Sequence, residues 1–171
     1  SSGISAAPAS APPTVAQPAD EQRFIAIVAE AQSKARAAAN DMQKGGVKAE
    51  RDKALCAAMS NYAVRDWVGK LKDIDANSDG KGVLAIELAA DVQVKTWNNA
   101  FSDLSDNTLL EPGTSVFTVV SQMTKGSMVK FSGTFLQGSE GDCLKESSLS
   151  LNGKISRPEF IFRFESVSAA Q

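Results

Sequence analysis

Histidine is absent from the chain, which removes the commonest general base, proton shuttle and imidazole metal ligand at neutral pH. Serine and cysteine hydrolases that rely on a histidine base are thereby excluded. Long apolar runs are missing too: none is longer than Phe24 to Ala29, which stops at Glu30, far short of the roughly 20 residues that a helix needs to span a bilayer. Neither charge sign dominates. Eighteen basic residues face 20 acidic ones for a net charge of −2, which argues against a protein whose main task is neutralising a phosphate backbone. Cysteine is scarce, with Cys56 and Cys143 alone, and neither stands in a CxxC motif that would spell a zinc site or a dithiol redox centre. What is present, 43% hydrophobic and 22% charged residues over 171 positions, matches one ordinary globular domain with appendages.

Residues 1–19, SSGISAAPASAPPTVAQPA, carry no charge and no aromatic ring, so they cannot bury enough apolar surface to offset chain entropy, and the prolines favour extended, solvated backbone. This stretch reads as a tether. Ala/Pro tracts of this kind resemble the spacer that follows a removed signal peptide, a lipid attachment point or a membrane anchor in exported bacterial proteins. The resemblance implies a periplasmic or otherwise exported location, with tethering to a membrane through whatever precedes residue 1. The two cysteines admit three readings: a structural disulfide, two buried free thiols, or a redox-active pair. In an exported chain the disulfide leads, because oxidising compartments preserve such bonds.

A helix is expected from Asp20, a good N-cap residue, to about Ala39, with Phe24, Val28, Ala31, Ala35 and Ala38 recurring at three- and four-residue steps. Asn40 to Gly46 reads as a break. A second helix over roughly Val47 to Met59 places Ala54, Leu55, Ala58 and Met59 toward a core and leaves Arg51 and Lys53 in water. These helices, within a segment 20–60, either pack on the following domain and close an open edge or, given the narrow Ala-rich stripe of the first, dock a partner.

Beyond residue 61 the periodicity changes to alternation, which marks strands. Tyr62 to Ile74, Gly82 to Leu88 and Asp91 to Trp97 form the first three. Glu111-Pro112-Gly113 is a turn, and Ser115 to Lys125 reads as a short helix or, through its β-branched residues, a strand. Ser127 to Leu136, Cys143 to Leu151 and Glu159 to Val167 complete the set, the last with Phe160, Phe162 and Phe164 alternating. A long first strand with Trp67-Val68-Gly69, a Gly-led hairpin, a helical connection, and Lys125-Gly126-Ser127-Met128-Val129-Lys130-Phe131-Ser132-Gly133 leading into the final strands resembles the OB-fold order β-β-β-α-β-β. The expected fold is therefore α+β and mostly β: a small OB-like barrel of about five to six strands over residues 61–168, preceded by the helical segment. Small OB-like domains of exported bacterial proteins are the nearest relatives this suggests.

Asp75-Ala76-Asn77-Ser78-Asp79-Gly80 copies the opening of a calcium loop, but the twelfth position, where a bidentate carboxylate belongs, is Ile86. A polar hairpin turn is the better reading, and no metal or cofactor is expected. The carboxylate pairs Asp73/Asp75 and Glu140/Asp142 sit in turns, so acid–base catalysis is not expected and no catalytic residue is named. On the outer face of the first three strands, Lys70, Lys72, Gln93, Lys95 and Trp97 form the candidate ligand-binding set, since OB folds bind oligonucleotides or oligosaccharides there through charge and stacking. Asp103 and Asp106 nearby would oppose a polyanion.

The functional expectation is a non-catalytic cell-envelope binding or adaptor module that recognises a protein partner or short polymer through the barrel face or an exposed edge strand. Two alternatives stay open: an inhibitor or immunity-type protein that neutralises an envelope-acting enzyme or toxin, and binding of single-stranded nucleic acid or oligosaccharide on the OB face, with nucleic acid disfavoured by charge.

Overall fold

The structure is a computed structural model and describes residues 15–59, 61–139 and 141–170. Most of the expected tether, residues 1–14, lies outside the described residues.

Alanine-rich sequence favours helix, and α1 (Ala19–Ala37) has Asp20 and Glu21 in its first turn and Lys34 and Arg36 in its last, signs that suit the helix dipole. Its N-cap is Pro18 rather than Asp20 and makes no side-chain cap. Glu21, Phe24, Val28, Ala31, Gln32 and Ala35 form the buried stripe at helical spacing. The second helix, α2 (Asp41–Ala58), starts earlier than the glycines suggested. Asn40 accepts from the Gln43 N–H (2.9 Å) and the Gln43 side chain accepts from the Ala39 N–H (2.7 Å), a reciprocal cap that starts the helix ahead of Gly45 and Gly46. Such a cap offsets about 1 kcal/mol of the helix penalty that each glycine brings.

Five strands follow: β1 (Ala63–Ala76), β2 (Gly82–Ala89), β3 (Val92–Lys95), β4 (Met128–Phe135) and β5 (Glu159–Ala169). They close into a barrel in the order β1-β2-β3-β5-β4, with β3 and β5 parallel and every other pair antiparallel. The long β1 can pair on both sides because it bulges twice, at Val64/Trp67 and at Leu71/Asp73, and bulges supply the bend that closure needs. At Gly133, where β4 crosses β5, any Cβ would run into the Arg163 carbonyl and the Phe162 ring, so only glycine fits. The expected α+β, mostly β barrel is what the chain forms.

The interior holds the alternating apolar residues of each strand, among them Trp67, Leu71, Leu84, Ile86, Val94, Phe131, Phe135, Phe160 and Phe162, all at most 1% exposed. Both ends are stoppered. At one, α1 drives Phe24 among Trp67, Phe135 and Phe160, with ring centroids 5.1 to 5.3 Å away, distances at which aromatic pairs attract beyond their area burial. At the other, α3 (Ser115–Ser121), capped by Thr114, buries Val116 and Val120 and sets Phe117 beside Gly82. The choice between helix and strand for this segment resolves to helix.

One expected strand does not form. Cys143 to Leu151 makes only isolated bridges, Gln137 with Leu144 and Glu146 with Phe160, before α4 (Leu151–Ser156) begins on its Ser150 cap. The β5 edge away from β3 is open only over its first residues, where Lys145 to Ser147 bond to Glu159 and Ile161, and β4 takes that edge from Phe162 on, so the pairing cannot lengthen into a strand. Short Ser/Asn/Gly sequence then favours a capped turn of helix over an unpaired strand.

Candidate functional site

The expected ligand face is only partly assembled. The strand register sets Lys70 opposite Glu87, Glu87 opposite Gln93, and Gln93 opposite Glu159 in one row across the sheet. Acidic residues thus interleave the basic ones. Lys72 lies 3.5 Å from the Glu87 carboxylate, and Lys95, only 8% exposed, lies 3.5 Å from Glu159. Lys70 is exposed, and Gln93 is half-buried. Trp97 is half-buried as well, and its indole N–H donates to the Asp106 carboxylate at 2.7 Å, which fixes the orientation of the ring.

Asp103 and Asp106 are the residues whose weight the sequence did not reveal. Both are buried, and they stiffen the connection between β3 and α3 from beneath. The Asp103 carboxylate accepts from the Thr108 hydroxyl (2.6 Å), the Thr108 N–H (2.7 Å) and the Leu109 N–H (3.0 Å). The Asp106 carboxylate accepts from Trp97 and from the Lys145 ammonium, 2.9 Å to each oxygen, and its carbonyl accepts from the Arg163 guanidinium. Charge-assisted bonds of this kind are about twice as strong as neutral ones. Above these anchors Phe101 and Leu104 stand in solvent at 84% and 74% exposure.

The opposite arrangement holds the connection between β4 and β5. A disulfide joins Cys56 of α2 to Cys143, with Cα atoms 5.6 Å apart, and the sequence separation of 87 residues makes it a long-range staple. Arg51, expected in water, is 3% exposed: its guanidinium pairs with Asp52 (2.9 Å) and Glu146 (2.7 Å) and lies over the Phe160 ring. Asp52, one helical turn before Cys56, and Arg51 beside it face the segment that the disulfide brings in, and a lone sequence does not show that side. Lys48 joins Asp52 and Asp142, each at 2.6 Å. Burial pushes the Glu146 carboxyl above its ordinary range, opposed by Arg51, and one of its oxygens has no hydrogen-bond partner. Asp142 is partly desolvated, which works upward, yet Lys48 and Lys154 hold it below the usual carboxylate range. Three cations face three carboxylates here, so the cluster is self-neutralised and presents nothing to a ligand.

Glu21 is the most perturbed acid, fully buried and pushed up to about 7, first by burial and also by Asp20, against hydrogen bonds from the Val68 N–H (2.7 Å) and Gln17. Such a group often marks catalysis. Here it is a latch. Gln17 bridges it to the Val68 and Leu88 carbonyls, fastening the start of α1 to the barrel mouth, and the carboxyl has no exposed surface through which a substrate would reach it.

The calcium-like segment is the β1–β2 turn, in which the Asn77 side chain accepts from the Asp79 and Lys81 N–H groups and Gly80 takes φ +79°. Among the described residues no helix is long and apolar enough to cross a membrane. The strand order makes the chain a small α+β protein built on an OB-like five-stranded barrel with a helical N-terminal cap. No family model, no curated protein and no solved structure matches it, so the likeness to OB folds is one of topology.

Proposed function

We propose that this chain is a non-catalytic binding module of the bacterial cell envelope that recognises a protein partner. The observation that carries the reading is how the fold spends its surface. The barrel interior is filled from both ends, and lysines on the outer sheet face sit beside carboxylates, while Phe101, Leu104 and Leu149 stand in solvent at 74 to 97% exposure. A single exposed apolar side chain is ordinary, but Phe101 and Leu104 stand three residues apart on one short loop, and it is neighbouring exposed apolar groups that mark recognition surfaces. Closure gives every strand a neighbour on both sides for at least part of its length, which favours the loops over an edge strand as the recognition surface. The Cys56–Cys143 bond supports an oxidising compartment, and with it the exported location that the Ala/Pro leader suggests.

The test has two parts. Thiol counting on chain taken from cells, under denaturing and non-reducing conditions, is expected to find no free thiol; two free thiols would remove the envelope assignment. Size-exclusion chromatography of the oxidised chain with the soluble envelope fraction is expected to give a complex of fixed stoichiometry. Titration with an oligo-dT 12-mer is expected to show no binding at moderate salt, and salt-sensitive binding abolished by Lys70→Ala with Lys72→Ala would favour the nucleic-acid reading instead.

A further inference from the structure

We infer that the cleft where the end of α1 meets α4 and the β2–β3 turn binds a small phosphomonoester, with Arg36, Lys44 and Arg157 holding the phosphate and the Gln32 amide oxygen accepting a hydrogen bond from the rest of the ligand. The cleft measures about 360 Å³, toward the small end of ligand sites. Three elements supply its cations: Arg36 comes from α1, Lys44 from α2 and Arg157 from the end of α4.

Gln32 is what draws these charges together. It is 8% exposed, and its amide nitrogen donates to the Asp91 carbonyl (3.3 Å) and the Ser156 carbonyl (3.2 Å), which fastens both the turn and the end of α4 onto α1. Arg36 follows Gln32 by one helical turn and shares its face, and Arg157 is the next residue after Ser156. Lys44 comes in from α2: its ammonium lies 3.5 Å from the Asn152 side-chain oxygen, one turn before Ser156 on α4.

The charge count selects the ligand. Arg36 and Arg157 are exposed, and among the described residues neither guanidinium makes an ion pair or a hydrogen bond. The groove between α1 and α2 differs, because there Lys34 pairs with Glu30 and Glu50, and Arg51 with Glu146. Lys44 has a weak partner in Asp41, 3.9 Å away with its side chain 90% exposed, and Asp91 is the one carboxylate among the described residues that line the cleft. Three cations therefore face one acid, in a chain whose net charge is −2. A phosphomonoester carries about −1.5 to −2 near neutral pH and matches that excess, whereas a monocarboxylate leaves part of it unbalanced. Guanidinium forks also bind phosphate oxygens in pairs. At the floor, both Gln32 N–H groups are taken by carbonyls, so the amide oxygen is turned away from them, and it accepts no hydrogen bond among the described residues. An acceptor beneath a cationic rim suits a ligand that carries a hydroxyl beside its phosphate.

The experiment titrates the full oxidised chain, labelled with nitrogen-15, with glycerol 3-phosphate, inorganic phosphate, succinate or glycerol in about 0.15 M salt, which screens loose surface attraction. Glycerol 3-phosphate is expected to give a saturable 1:1 shift confined to amides near residues 32–36, 44, 91 and 152–157. It should bind about 5-fold tighter than inorganic phosphate, the worth of one added hydrogen bond. Succinate, a dianion without phosphate geometry, is expected to bind more weakly than either, and glycerol not at all. The double variant Arg36→Gln with Arg157→Gln should weaken binding at least about 100-fold while the melting curve stays unchanged, since both side chains are exposed and unpaired. Shifts that drift without saturating, that fall elsewhere or that survive the double variant overturn the inference. So does succinate binding as tightly as glycerol 3-phosphate, or inorganic phosphate doing so.

Discussion

The two long connections of the barrel are both rigid, and they are made so by different means. Residues 136–158, between β4 and β5, are held by a disulfide and a self-neutralised ionic cluster that faces α2 and is turned inward. Residues 96–114, between β3 and α3, are held by two buried aspartates that bind downward and leave Phe101 and Leu104 facing out. Both connections also leave apolar side chains in water, Leu149 in the first and Phe101 and Leu104 in the second, so the difference lies in what holds them: a covalent staple and ion pairs in one, carboxylates bonded to the loop's own backbone and neighbours in the other.

The contrast is sharpest where the staple is removed. Replacing Cys56 and Cys143 by Ala is expected to lower stability by about 4.5 kcal/mol on the chain-entropy reckoning for a long loop, read as the shift in a urea midpoint. Arg51→Met should cost about 4 kcal/mol in the same measurement by leaving Glu146 buried without its cation, while Asp52 keeps Lys48, and the double change Arg51→Met with Glu146→Met should recover much of it. Equal losses for single and double variants would show that the cluster does not act as a pair.

Smaller effects come from the latch and the loop. Because burial pushes the Glu21 carboxyl up to about 7 from an ordinary 4.5, the fold prefers its protonated form. Its contribution is fully present below about pH 4.5 and is lost as pH rises to about 7, a span worth about 3 kcal/mol. Glu21→Gln should flatten that slope in thermal melts taken across the window. Asp106→Asn strips Lys145 of its counter-ion and is expected to cost about 2 kcal/mol, with amide exchange speeding up over residues 103–109 and not around Cys143. Phe101→Ser and Leu104→Ser should change stability by less than about 0.5 kcal/mol, since both side chains are already in water.

Much of this architecture was legible before any coordinates. The alternation in Phe160, Phe162 and Phe164 and in Leu84, Ile86 and Leu88 marked inward faces, and those residues are buried. The expected disulfide is present. The second helix was misjudged at its start because Gly45 and Gly46 weigh against helix locally, while the Asn40 cap that outweighs them depends on Gln43 folding back. Arg51 was placed in water because a helix with no known neighbour shows no inside. The Trp97–Asp106 hydrogen bond does not show in the sequence, because it spans a loop whose path alternation does not describe.

The sequence by itself determined the periodic elements and their order, since side-chain period is a local property of the backbone: period two wherever the strands lie, three to four in α1, and glycine where β4 meets β5. Only the tertiary structure decided which charges are buried together and which apolar residues are left outside. Those outcomes depend on pairs far apart in the chain, Arg51 with Glu146 and Asp106 with Lys145, and burial is a property of neighbours that no local pattern encodes.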